Sequence, residues 1–198
     1  MLRYLQRWYN DIVNNKVSYD ELKAVQTTGL LLKLNGGKED LLKLIKLLYA
    51  IERESINRQL SPFTYDKLVS MPHGQVVSNT YDNIKSIPTG IWGDCFKTTS
   101  EGREKTVHLL KECGTSKLSK ANVALIKEIY QRNIDKSPED LEREHHDSKI
   151  TPEYVNPHGS SIKTNYANLL KLLGKTQKEI ENFNADLKET AFINSLKG

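Results

Sequence analysis

Two cysteines, Cys95 and Cys113, are too few for a disulfide framework, and they form no C-x-x-C pair. That usage fits a reducing compartment with both thiols free. No apolar run approaches the roughly 18 residues that span a bilayer. The N-terminus sets Arg3, Arg7 and Asp11 among its apolar residues, which leaves no signal-peptide core. A cytoplasmic protein without a membrane segment is therefore expected. No five-residue block of Lys and Arg occurs, and 29 basic residues stand against 25 acidic ones, an excess too small to demand a nucleic-acid partner. The phosphate-binding patterns G-x-x-x-x-G-K-[ST] and G-x-G-x-x-G are missing, as are G-x-S-x-G and H-E-x-x-H. Nucleotide-binding, serine-hydrolase and zinc-protease chemistry thus lack their signatures.

What is present is material for one core: 37% of the 198 residues are hydrophobic and 27% charged, so the chain buries apolar surface and still dissolves. Leu2, Leu5, Trp8, Tyr9, Ile12 and Val13 recur at three- and four-residue spacing and predict an amphipathic helix over residues 2–14. Ser18 and Glu21 have the spacing of a capping box, which predicts a helix over 19–34, stopped by Asn35-Gly36-Gly37. The apolar residues between Leu41 and Ile51 cover more than half a helical circumference, as in a central core helix. Its continuation through Glu52, Arg53, Glu54, Asn57 and Arg58 reads as solvated helix-end charge before Ser61-Pro62.

Val77, Tyr81 and Ile84 predict a helix over 76–85. Residues 91–96 and 106–110, on either side of Ser100-Glu101-Gly102, predict a β-hairpin, which places the two cysteines out of register. Ser119 caps a helix over 120–134, with Val123, Ile126 and Tyr130 inward. Ser137-Pro138-Glu139-Asp140 starts another, toward His146. A loop over 149–163, a helix over 165–173 and a last helix capped by Thr176 and Glu179, with Ile180, Phe183 and Leu187 inward, complete the chain. The expected fold is mainly α: a compact single-domain helical bundle with one small β-hairpin at about 91–110. Residues 1–16 form a helical appendage, 17–182 the domain and 183–198 the end of the C-terminal helix.

Glu142-x-x-His145, with His146 beside it, has the i, i+3 spacing by which one helix offers two ligands to a metal. A second copy of the motif is missing, and neighbouring helical residues diverge by about 100°. Histidines that complement a helix C-terminus are the simpler reading, and a metal hydrolase on these residues the rival one. In Ser70-Met71-Pro72-His73-Gly74, proline holds Met71 extended and glycine permits reversal, which makes a rigid turn with Pro72 and Gly74 as its structural residues.

The order of segments carries more information than any one of them. Leu30-Leu31-Leu32-Lys33-Leu34-Asn35-Gly36-Gly37 precedes Leu44-Ile45-Lys46-Leu47-Leu48-Tyr49-Ala50-Ile51-Glu52-Arg53-Glu54. Then come Ser70-Met71-Pro72-His73-Gly74-Gln75-Val76-Val77-Ser78, Tyr81-Asp82, His146, Pro152-Glu153-Tyr154, Asn156-Pro157-His158-Gly159-Ser160-Ser161-Ile162 and Leu169-Leu170-Lys171-Leu172-Leu173-Gly174-Lys175. From about Tyr19 to Asn182 this resembles the Panacea domain, the SocA-like domain of many bacterial and phage-borne antitoxins. The chain departs from the family pattern at Gln75, where proline is usual, and at Tyr154, where tryptophan is usual.

The resemblance implies a non-enzymatic antitoxin of a type II toxin–antitoxin system, of host or prophage origin, that neutralises the toxin of a neighbouring gene by direct contact. It implies no catalytic residue, metal or cofactor. The SocA relative also serves as a protease adaptor, so a protease or chaperone is a further candidate partner. Met71, His73, Gln75, Glu153 and Tyr154 are the expected toxin contacts in the two family loops, with Leu5, Trp8 and Tyr9 of the N-terminal segment beside them. A DNA-binding autoregulator using Lys111, Lys117, Lys120, Lys127 and Arg132 is the alternative from another class.

Overall fold

The broad apolar face between residues 41 and 51 makes the helix around which the other elements are arranged. The computed structural model describes residues 18–196. Its elements run α1 (Glu21–Leu34), β1 (Lys38–Asp40), α2 (Leu41–Gln59), β2 (Leu68–Met71), β3 (Gly74–Val77), α3 (Ser78–Ile84), α4 (Gly90–Cys95), β4 (Phe96–Glu101), β5 (Glu104–Leu109), α5 (Lys120–Arg132), α6 (Pro138–His146), β6 (Ile162–Lys163), α7 (Tyr166–Leu172) and α8 (Gln177–Ser195). Among the described residues the fold is mainly α, with two three-stranded antiparallel sheets ordered β1-β5-β4 and β3-β2-β6. The helix expected over 2–14, with Leu5, Trp8 and Tyr9, lies outside the described residues.

Helix α2 buries Leu44, Ile45, Leu47, Leu48, Tyr49, Ile51 and Ile56, a set that wraps most of its circumference. It can be so apolar because α1, α5, α6, β3 and β5 all pack on it. Asp40 caps it, accepting from Lys43 N at 3.0 Å. Ser137 and Thr176 form reciprocal capping boxes with Asp140 and Glu179, and Pro138 takes the first helical position. Helix α1 departs from its expected start. Asp20, not Ser18, caps it, because Glu21 is recruited by the buried Trp92, whose Nε1–H donates to Glu21 Oε1 at 3.0 Å.

Two strand assignments also change. Residues 90–95 form α4 rather than the first strand of a hairpin, turning Trp92 inward against Phe96, so the β4–β5 hairpin begins at Phe96. A second hairpin, β2–β3, occupies residues the sequence pattern assigns to a turn and the start of a helix. Leu68 pairs with Val77 and Met71 with Gly74. Nearly all of these strand residues are buried, so the alternation that marks a half-exposed strand is missing. Helix α3 consequently starts at Ser78 and has no local cap. The buried Asp66 carboxylate replaces it, accepting from Asn79 N, Thr80 N and Thr80 Oγ1 at 2.7–2.9 Å.

Cys95 and Cys113 are both free. The chain after β5 folds back so that Cys113 lies beside Cys95, and burial, with that neighbour, pushes the Cys113 thiol up to about 12.

Candidate functional site

The β2–β3 hairpin has the two-residue loop Pro72-His73, followed by Gly74 at φ 93°, a backbone open to glycine and strained for other residues. Three elements converge on this tip. From α2, the Lys46 ammonium donates to His73 O at 2.5 Å and Gln75 O at 2.9 Å. From α6, His73 Nδ1 donates to Glu142 Oε1 at 2.7 Å and His146 Nε2 donates to Pro72 O at 3.0 Å. From the loop after α6, Gln75 Nε2 donates to Glu153 O at 3.1 Å, and Val155 N donates to Ser70 Oγ at 3.3 Å. The His146 and Tyr154 rings lie 4.7 Å apart, so the aromatic plate of the second loop rests on the helix that holds the first.

Beneath this surface lies a stripe of α2. Lys46, Tyr49 and Arg53 stand at i, i+3 and i+7 on one helical face. The Glu153 carboxylate accepts from Tyr49 Oη at 2.7 Å and from Arg53 Nε at 2.6 Å, tying the second loop to the same helix that grips the hairpin. Lys46 is 1% exposed and forms no ion pair among the described residues. Burial lowers its pKa to about 7, with the Glu142 charge opposing. His145 packs edge-on against Tyr49 with ring centroids 5.3 Å apart. Burial, then the Lys46 charge, holds its pKa well below the ordinary histidine value.

The two loops singled out in the sequence are therefore one site, but their side chains divide between surface and interior. His73 is exposed, with 76% of its side chain accessible, and Pro72 is exposed beside it; Met71 and Tyr154 are partly buried. Gln75 and Glu153, expected as contacts, are 0% and 4% exposed and hold the loops together from within. Neither presents a side chain to a partner in this conformation.

The metal reading of α6 is corrected. Glu142 turns to His73, His145 enters the core and His146 reaches Pro72, because α6 packs over β3 and its successive residues diverge around the axis. Among the described residues no three His, Cys, Asp or Glu side chains gather where they would hold a metal ion. The solvated helix-end reading of Glu52 and Arg53 is corrected as well. Glu52 is buried, and Arg53 pairs with a fully buried carboxylate. Lys46 lies inside an apolar run, which hides its role in the sequence. Its three- and seven-residue spacing from Tyr49 and Arg53 is the one pattern that places the three on a common helical face. Among the basic residues of the DNA-binding alternative, Lys111 pairs with Asp94 and Arg132 with Glu128.

The family model described as antitoxin SocA-like, Panacea domain matches residues 44–150, more than half of the chain. The chain belongs to this Panacea family. The matched span of the Panacea domain contains Lys46, Tyr49, Arg53, the hairpin and α6, and stops just short of Glu153 and Tyr154. No curated protein and no solved structure matches the chain. Among the described residues no helix is long and apolar enough to cross a membrane.

The pH response of this Panacea domain follows from His145. Its folded pKa is depressed, so its neutral form stabilises the fold at and above the ordinary value near 6.5, and that stability is lost as pH falls toward the folded pKa. Glu52, pushed up to about 7 by burial, titrates in an overlapping window with the opposite sign. Comparison with His145→Leu cancels the Glu52 contribution. Below pH 6.5 the wild type is expected to lose about 1.4 kcal/mol per pH unit relative to the variant, read by urea unfolding at a series of pH values. Parallel profiles would refute it.

Proposed function

We propose that this Panacea protein is a non-enzymatic antitoxin of a type II system that neutralises its cognate toxin by direct binding, using the surface formed by Pro72, His73, Tyr154 and Val155. The observation that carries this reading is the fixation of an exposed hairpin tip by three separate elements, α2, α6 and the second loop, within a family of antitoxins. A loop held in one conformation loses little entropy on binding, and an aromatic ring supplies contact area at low rotamer cost. Val155, 52% exposed, extends the apolar part of that surface. Leu5, Trp8 and Tyr9 are proposed as further contacts.

Coexpression with the product of the neighbouring gene tests the reading. The expected results are rescue of growth and a stable complex on gel filtration. Tyr154→Ala and His73→Ala should each weaken the complex about tenfold or more, the loss of a hot-spot side chain of about 1.4 kcal/mol or larger. Removal of residues 1–16 should weaken it further. Absence of rescue and of a complex would overturn the function, whereas a complex indifferent to both point variants would move the contact away from this surface.

A further inference from the structure

Behind the hairpin, α2, α5, α6, the α5–α6 connection and residues 150–151 line a partly open cavity of about 360 Å³ that toxin binding at the hairpin tip does not use. Lys46, Arg53, Arg132, Lys136 and His145 line it together with the acidic Glu54 and Glu144, and Ala50, Ile129 and Ile150 add apolar surface. Most of its charge is already matched. Arg53 is neutralised by Glu153 and Lys136 by Glu144, while Arg132 and Arg58 share Glu128, with Glu54 also on Arg58. Lys46 remains as a buried ammonium with two carbonyl partners and no carboxylate.

Beside it, the Nδ1 atom of His145, a residue 7% exposed, is buried without a hydrogen-bond partner. A buried cation without a direct carboxylate partner and an orphaned imidazole nitrogen are both costly unless something occupies the space next to them. A single water fills about 30 Å³, far less than this cavity, whose volume falls in the range of small-molecule sites.

We propose that the cavity binds a small amphipathic monocarboxylate, its carboxylate on Lys46 and His145 and its short apolar body along Ala50, Ile129 and Ile150. One surplus positive charge matches one negative charge, which favours a carboxylate over a doubly charged phosphate. The oxygens accept from the Lys46 ammonium and from His145 in its Nδ1–H tautomer, so both unmet groups are satisfied together. An anion at this position also opposes the desolvation that lowers the Lys46 pKa.

The test is a titration of butyrate into the full-length protein alone, followed by NMR shifts of the Lys46 side chain and by melting temperature. It needs no toxin, so its result is independent of the antitoxin reading. Saturable binding of roughly millimolar affinity is expected, the level a ligand of about six heavy atoms reaches, with a raised melting temperature. Butanol, of equal length and uncharged, and inorganic phosphate should give no saturable response. Lys46→Met should weaken butyrate binding at least about tenfold. Because that variant also releases the hairpin, Ala50→Phe serves as a second one: it fills the cavity from its apolar side, leaves the Lys46 bonds in place and should abolish the response. Lack of saturation at roughly tens of millimolar butyrate, an equal response to butanol or phosphate, or full binding by Ala50→Phe would each overturn the proposal.

Discussion

Replacing Glu52 by alanine is expected to lower folding stability by about 3–5 kcal/mol, measured by urea unfolding of the purified protein. Glu52 lies just past the middle of α2 and is 1% exposed. Its Oε1 accepts from Phe63 N at 2.8 Å, and its Oε2 accepts from Thr64 N and Thr64 Oγ1, each at 2.8 Å. The carboxylate is the anchor by which the loop leaving α2 returns along the helix toward β2. That loop contains two strained non-glycine residues, Leu60 at φ 50° and Tyr65 at φ 58°, so its conformation depends on such anchoring.

Alanine leaves the buried donors of Phe63 and Thr64 without the carboxylate that accepts from them and opens a void, and the two costs add. Glu52→Gln keeps the shape but presents an amide N–H₂ to one set of donors. Its loss should therefore be intermediate, about 1–3 kcal/mol. A Glu52→Ala protein that unfolds within about 1 kcal/mol of wild type would show that the loop is held by its apolar contacts, with Phe63 foremost.

The second large effect is expected from Gly74→Ala, about 2–4 kcal/mol. The backbone at Gly74 has φ 93°, and an added Cβ would lie 2.7 Å from His145 Cβ and 2.8 Å from Lys46 Nζ. The lysine head is mobile in principle, but here it is held by His73 O and Gln75 O, and the His145 Cβ is fixed by α6. Relief therefore requires the hairpin to move off α2 and α6, which would also displace Pro72 and His73. Gly159 provides the control: it has φ 88° but nothing within 4 Å of an added Cβ, so Gly159→Ala carries the backbone strain without the clash. The difference between the two variants measures the packing. Equal losses would mean that the hairpin and α6 are less tightly seated than the contacts indicate.

These two residues mark where reading by pattern works and where it stops. Gly74 is legible as a turn residue beside Pro72, since a proline and a glycine at that spacing restrict the backbone whatever surrounds them. Its partner strands are not legible, because a strand covered on both faces shows no alternation, and Gln75 and Ser70 look like surface residues until Glu153, Thr164 and Val155 are found against them. Glu52 extends a helix into a run of charged residues, and nothing local distinguishes it from Glu54, which is partly exposed and pairs with Arg58.

Within the candidate site, His73 and Tyr154 were recognisable from segment order alone. Lys46 and His145, which hold and underlie the hairpin, were hidden by an apolar run and by an apparent metal spacing.

The sequence alone determined the helices with strong local signals: the caps at Ser119, Ser137 and Thr176, the Asn35-Gly36-Gly37 stop, and the core stripe of α2. It also determined the Panacea resemblance, because these depend on residues within one or two helical turns and on their order. The tertiary structure decided which polar residues are buried and what they touch. Lys46, Glu52, Asp66, Gln75 and Glu153 are compatible with solvent in isolation, and each becomes interior only because a segment 11–104 positions away supplies its hydrogen-bond partners. Burial of a polar group is a property of what packs over it, and that information is distributed along the whole chain.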